Sequence, residues 1–503
     1  MIQTVIPSPA DAIGRVDRIL RCALIPLLLI LVADLLQGVL RGPQWIWNES
    51  RLASAISLAY GYTLYPGQHA LRPILGTLHA PLGYLFYASL GFLKHPVDAL
   101  MAGCVLTVVL YFAPLIWVHV TAGEGSLLTR TYGCLACAAV VLASPGTKYS
   151  ALNIHVDAPA IAAAVMAAGI LATARAPVGN VMLACSAALG VFSVACKQTM
   201  IAVPVALACF LLLADGPRLF FKYVLMQLVS FLAIGAAMFA AFRPTQDLIF
   251  NIYTWAVHLQ RPIDTTPSLL AGVYTERLAL AVVVPILTIL VAGFLFDAMG
   301  GMRARLNANR WLVFLFVSIL QTPVALRAWT TPGADVNHLG VITLFATLAV
   351  TLGLTMSPSI PALLQRAAFV GIIVATLPVP WQLSHDFARL SKAPAEVAWR
   401  YEKLHPGRAY FPLNPLAALM AQGKPTHFDF ALYDRERAGY TVTPEQFAAG
   451  LPAHYQLIAY PASYGDPPSH VLSVALRSMH PISETGLDGW RVFAPGDGGA
   501  TPP

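Results

Sequence analysis

Residues 45–93 read WIWNESRLASAISLAYGYTLYPGQHALRPILGTLHAPLGYLFYASLGFL, and the parsing of this stretch decides the fold. It follows the first long apolar run and carries one carboxylate, Glu49, with Arg51 beside it. A polar-faced amphipathic piece comes next, then a Tyr/Pro/Gly turn (Tyr62, Tyr65, Pro66, Gly67), then His79-Ala80-Pro81-Leu82-Gly83-Tyr84. A connection of this length between membrane helices is seldom a passive tether. The apolar piece 81–93 is too short to cross a bilayer, which takes about 20 residues. It is therefore placed on the membrane surface, and the whole stretch reads as the roof of an active site there. Counted as a span, 81–93 would invert everything after it.

Outward from this stretch the chain is dominated by apolar runs. Of its 503 residues, 57% are hydrophobic and only 11% charged. A soluble domain carries about 25% charged residues, so the chain reads as an α-helical polytopic membrane protein. Apolar runs near spanning length fall at 20–41, 98–119, 128–145, 157–175, 179–196, 198–215, 220–242, 275–298, 311–328, 336–356 and 365–383, about eleven transmembrane helices. The N-terminus leads straight into the first of these, which is expected to remain in the bilayer as a span.

Charge asymmetry orients the spans. With Arg15, Arg18 and Arg21 cytoplasmic, the inner loops hold Arg130, Arg175, Arg218, Lys222, Arg303, Arg305, Arg310 and Arg366. Treating 81–93 as a span would move Arg303, Arg305 and Arg310 outside, a worse fit. The expected organisation is a cytoplasmic N-terminus (1–19), a transmembrane domain (20–383) with a first outer loop at 42–97, and an extracytoplasmic domain (384–503). The protein is expected in the cytoplasmic (inner) membrane. The basic residues that give the net charge of +7 lie largely between apolar runs. They read as topology determinants and point to no nucleic acid partner.

Residues 384–503 change character, with frequent Pro and Gly and short strand-like runs at 454–461 and 490–495. Residues 412–423 read as a helix ending at Gly423. A small α/β domain without disulfides is expected, since all seven cysteines lie in or beside apolar runs. Cys134-Leu-Ala-Cys137 reads as helix packing. The segment 243–274 is amphipathic, carries Trp255, His258 and Arg261, and suits a short interfacial helix.

Ionisable groups gather at the outer ends of the spans. Glu49 lies in the first outer loop, Asp157 (in Asn153-Ile-His155-Val-Asp157-Ala-Pro159) opens the fourth span, and Lys197 sits in the turn between the fifth and sixth. Such groups cost roughly 2.5–3.5 kcal/mol at a helix centre and usually face a cavity or a partner. The plainer alternative is that each snorkels to the interface. At 331–340, TPGADVNHLG opens the tenth span and brings Asn337 and His338, a helix N-terminus suited to a phosphate or sugar hydroxyl. Asp335 can equally be a simple cap. Asp34 inside the first span suits a polar cluster or an interhelical pair, and Glu276 with Arg277 suits pairing or snorkelling.

These elements resemble the GT-C superfamily of integral membrane glycosyltransferases, which use polyprenyl-phosphate-linked sugars. The resemblance leans toward the bacterial branch with aminoarabinose and galacturonic acid transferases and protein O-mannosyltransferases. It rests on Glu49 shortly after the first span, the turn Gly61-Tyr62-Thr63-Leu64-Tyr65, His79-Ala80-Pro81-Leu82-Gly83-Tyr84, and Asp157-Ala158-Pro159. Cys196-Lys197-Gln198-Thr199 and Gly333-Ala334-Asp335-Val336-Asn337-His338 resemble elements of some bacterial members. The chain departs from the pattern at Asn48-Glu49, where many members have paired acids, so one carboxylate fewer is available to a metal.

The resemblance implies inverting transfer of a sugar from a polyprenyl-phosphate donor to a hydroxyl of a glycan, lipid or protein acceptor. Glu49 is expected as the catalytic carboxylate and Asp157 as a second one, either of them a possible ligand for Mg or Mn. Lys197 is expected at the donor phosphate, with Arg72, His338 and Arg261 as further cations. His79, His155, Asn337 and Tyr65 complete the expected substrate-binding set. A transporter or lipid flippase is the rival reading, and an assembly protein a third. Neither accounts for the long first loop and its carboxylate.

Overall fold

The structure is a computed structural model that describes residues 9–122, 126–174, 178–259, 265–296, 301–329, 336–357, 360–377 and 383–495. Each of the eleven expected apolar runs is helical. Six helices are long and apolar enough to cross a membrane: Arg18–Gln44, Pro96–Thr121, Pro217–Ala241, Arg277–Phe296, Leu312–Trp329 and Asn337–Met356. Leu127–Ala143 and Pro145–Leu152 qualify together but are bent by 98°. The shorter apolar helices Asp157–Thr173, Asn180–Cys196, Gln198–Ala214 and Ala362–Thr376 occupy the other four places. Leu82–Phe92 is a short apolar piece, as its length required.

The 98° bend replaces part of the loop expected at 146–156. Pro145 lacks an N–H and cannot continue the preceding helix, but the same residue suits the first turn of a new one. A helix therefore restarts at Pro145 and ends at Leu152. It crosses the N-terminal turn of helix Asn337–Met356 at two glycines, Gly146 and Gly340. A Cβ on Gly340 would lie 2.4 Å from the Gly146 carbonyl carbon and 2.6 Å from the Thr147 nitrogen. Both obstacles are backbone and cannot swing away. Gly340→Ala is thus expected to destabilise the bundle by about 1–3 kcal/mol, read as a lower unfolding temperature in lipid nanodiscs.

Two ion pairs lie inside the bundle. Asp34 of the first helix, 4% exposed, meets Lys148 Nζ at 2.9 Å, the interhelical pairing that the sequence suggested. Arg310 reaches Asp215 at 3.2 Å.

The C-terminal part holds a four-stranded sheet of β1 (Ala409–Tyr410), β2 (Leu457–Pro461), β3 (Met479–Ile482) and β4 (Trp490–Pro495), in the order β1-β2-β4-β3. β1 and β2 are parallel and the other pairs antiparallel. The expected helix runs Pro415–Gln422 and stops at Gly423, whose φ of 75° suits a residue without Cβ. This part docks on the first connection through many polar contacts. Arg41 Nε reaches Asp386 at 2.8 Å, His95 Nε2 reaches Glu396 at 2.7 Å, and the Ile74 N–H donates to His427 Nδ1 at 3.0 Å. The C-terminal part is thereby tied both to the first helix and to the 45–93 connection.

Candidate active site

The 45–93 stretch begins with helix Ile46–Ser57. Residues three and four apart on a helix share a face. Trp47, Ser50, Arg51 and Ser54 line a cavity, while Leu52, Ala53 and Ile56 are fully buried on other sides. The cavity holds about 390 Å³ and is walled by the first connection, the 149–155 segment, Gln198 and Thr199, the 252–259 segment, Asn337 and His338, and Phe428, Ala431 and Asp434 from the C-terminal part. Its lining combines polar groups, among them Arg51, His79, His155, Asn337 and His338, with apolar ones, among them Leu75, Ile252, Val257 and Phe428.

Behind His155 and Asn337 lies a buried ion pair. Asp157 and Lys197 are both 0% exposed and joined carboxylate to ammonium. The two Asp157 oxygens have four partners in all: Lys197 Nζ and His155 Nδ1 (2.8 Å) on Oδ1, and Ser150 Oγ (2.9 Å) with Asn337 Nδ2 (2.6 Å) on Oδ2. The backbone N–H of Asp157 donates to His155 Nδ1 at 3.2 Å, the bond of the tautomer with its proton on Nε2. The carboxylate Oδ1, 2.8 Å from the same nitrogen, favours the other tautomer, protonated at Nδ1 with its lone pair on Nε2, and that is the form able to act as a base. Burial foremost, and Arg51 in part, hold His155 down to about 4, so it is neutral near pH 7. His79, whose ring centroid is 5.2 Å from that of His155, is likewise held well below the usual histidine range, first by burial.

Arg51 is the cation on the cavity surface. Its Nη2 donates to the Tyr149 hydroxyl at 2.6 Å and its Nη1 to the Ile154 carbonyl at 3.4 Å. Its guanidinium lies 5.5–5.8 Å from the rings of Trp45, Trp47 and Tyr149. The sequence showed Arg51 beside Glu49, but its role needed the helix phase and Tyr149.

Several expected site residues lie elsewhere. Glu49 does not border the cavity. Two residues from Trp47, about 200° around the helix, it points into the junction with the C-terminal part. There its carboxylate accepts from Asn414 Nδ2 at 2.7 Å and faces the N–H groups of Leu416 and Ala417 at the start of helix Pro415–Gln422, which act to lower its pKa. Burial raises Glu49 to about 8 despite these donors. Arg72 is exposed and away from the cavity lining. Tyr65 is buried, and its hydroxyl donates to the His79 carbonyl at 2.7 Å, so it supports the loop that presents His79. Arg261 and the 331–335 segment lie outside the described residues.

Of the two carboxylates suggested for Mg or Mn, Glu49 keeps Oε1 and Asp157 keeps Oδ1 buried without a hydrogen bond, and the Asp157 carboxylate already faces the Lys197 cation. Among the described residues, no three His, Cys, Asp or Glu side chains gather as metal ligands.

The raised Glu49 fixes a sign for the pH dependence of stability. Its folded value of about 8 exceeds the model-peptide 4.5, so the folded state binds the extra proton and stability falls as pH rises between those values. Glu49→Gln is expected to flatten this decline in nanodisc melting curves from pH 5 to pH 9. A wild-type slope persisting in the variant would count against the assignment.

No family model matches the chain, and no curated protein matches it. Among the solved structures that share its fold are two of one protein. ArnT from Cupriavidus metallidurans bound to undecaprenyl phosphate is 13% identical, with a TM-score of 0.57 over 92% of this chain and 96% of that one. The same protein in the apo state is 14% identical, with a TM-score of 0.52 over 89% and 93%. The architecture expected from the GT-C resemblance is therefore present: a multi-pass membrane bundle with a small C-terminal sheet, built as in ArnT.

Proposed function

We propose that this chain is a glycosyltransferase that moves a sugar from a polyprenyl phosphate to an acceptor hydroxyl at the extracytoplasmic face of the cytoplasmic membrane. The observation that carries the reading is the cavity: Arg51 and His155 in its lining, with Asp157 buried behind His155, where bundle and C-terminal part meet. The fold neighbour ArnT was crystallised with undecaprenyl phosphate, the lipid product such a reaction would release.

In this reading the acceptor hydroxyl attacks the anomeric carbon while the bond from that carbon to the phosphate oxygen breaks. The electron pair leaves with the phosphate, which gains one negative charge, and the hydroxyl proton passes to His155 Nε2. Asp157 fixes the imidazole through Nδ1 and stabilises it once protonated. Arg51 faces the phosphate, where the new charge makes its contact stronger in the transition state than in the ground state. The two groups help each other. Arg51 lowers the pKa of His155 at rest, and an anionic phosphate beside Arg51 offsets that, making His155 a better base only when donor is bound.

The test is incubation of the purified protein in lipid with a panel of polyprenyl-phosphate sugars and acceptors. Acceptor-dependent release of polyprenyl phosphate is expected from at least one pair. Binding of all donors with release from none would refute transfer.

A further inference from the structure

We propose that Glu276, buried in the bundle away from the cavity, is a positioning residue for the transfer chemistry, an inference that rests on that reading. The sequence suggested that Glu276 pairs with Arg277 or snorkels. Instead it is 2% exposed, and Arg277 stacks on the Tyr274 ring at 4.0 Å. The Glu276 carboxylate accepts from the Ser144 hydroxyl, from the Gly146 N–H at 2.8 Å and from the Thr343 hydroxyl at 3.2 Å. It thus ties the restart of helix Pro145–Leu152 to helix Asn337–Met356, at the Gly146–Gly340 crossing.

Both tied elements end on Asp157. Helix Pro145–Leu152 carries Ser150, which donates to Asp157, and Tyr149, which holds Arg51. Helix Asn337–Met356 begins with Asn337, which donates to the same Asp157 oxygen. A carboxylate in an apolar bundle is costly and is kept where it has a task. Here the task is to fix the relative placement of two helix starts, and through them the orientation of the Asp157 carboxylate that aligns His155.

The test uses the full chain in nanodiscs, with Glu276→Gln, Thr343→Val and Asn337→Ala singly and Glu276→Gln combined with Asn337→Ala. Glu276→Gln keeps a carbonyl oxygen for the Gly146 N–H, so a cooperative melt is expected. His338 should then react several-fold faster with diethyl pyrocarbonate, mapped by mass spectrometry, and release of polyprenyl phosphate should fall about tenfold or more. The double variant should be no slower than Asn337→Ala alone, because both changes act through Asp157. Thr343→Val, which removes one hydrogen bond and no charge, should move both readouts the same way by less, and it decides the matter if the Gln variant fails to fold. Unchanged His338 reactivity, or losses that multiply in the double variant, would overturn the proposal. Absence of release by wild type would refute the transfer reading, while His338 reactivity would still decide this one.

Discussion

Asp157→Asn is expected to cut release of polyprenyl phosphate by about 10²–10⁴-fold, the range for loss of general acid–base function. The amide cannot supply the charge that stabilises a protonated His155, and its amide nitrogen would face Lys197 or His155 where an acceptor is needed. The same change strands a buried ammonium, which costs about 3–5 kcal/mol when one partner of a buried pair is removed. Loss of activity in the single variant therefore mixes chemistry with folding. Adding Lys197→Met separates them, because it removes the stranded ammonium and leaves no unpaired buried charge. The double variant should regain much of the lost melting temperature and remain inactive. Wild-type release by either variant would remove Asp157 from the chemistry.

The positions of the membrane helices were legible because their signal is local: a run of apolar residues needs no partner to be read. Asp157 and Lys197 were legible for a related reason, since an ionisable group at the end of an apolar run is conspicuous wherever the chain folds. Their mutual pairing was not, because nothing in the spacing of 157 and 197 fixes their contact. The placement of Glu49 was not legible for want of helix phase. Position 49 stands beside the cavity-facing residues 47, 50 and 51 in sequence but turns away from them in space. Its true partner, Asn414, is 365 residues distant. The C-terminal wall of the cavity, Phe428, Ala431 and Asp434, was invisible for the same reason of sequence distance.

Arg51 yields the second large effect. Arg51→Gln is expected to lower kcat by about 10²–10³-fold, the range for removing one preorganised donor from a developing anion, with a smaller change in KM because the donor's bound phosphate carries less charge than the leaving group. Arg51→Lys should rescue little. A compact ammonium cannot make the two divergent contacts to the Tyr149 hydroxyl and the Ile154 carbonyl, nor lie flat among three rings. A separate readout distinguishes a charge effect from lost packing. Arg51 lowers the pKa of His155, whose resting value is about 4, so its removal raises that value. The acidic limb of the kcat/KM profile, which reports the free enzyme, should then move to higher pH in Arg51→Gln and stay near its wild-type position in Arg51→Lys. A limb that shifts equally in both variants would mean that Arg51 acts through packing, and the phosphate would need another cation.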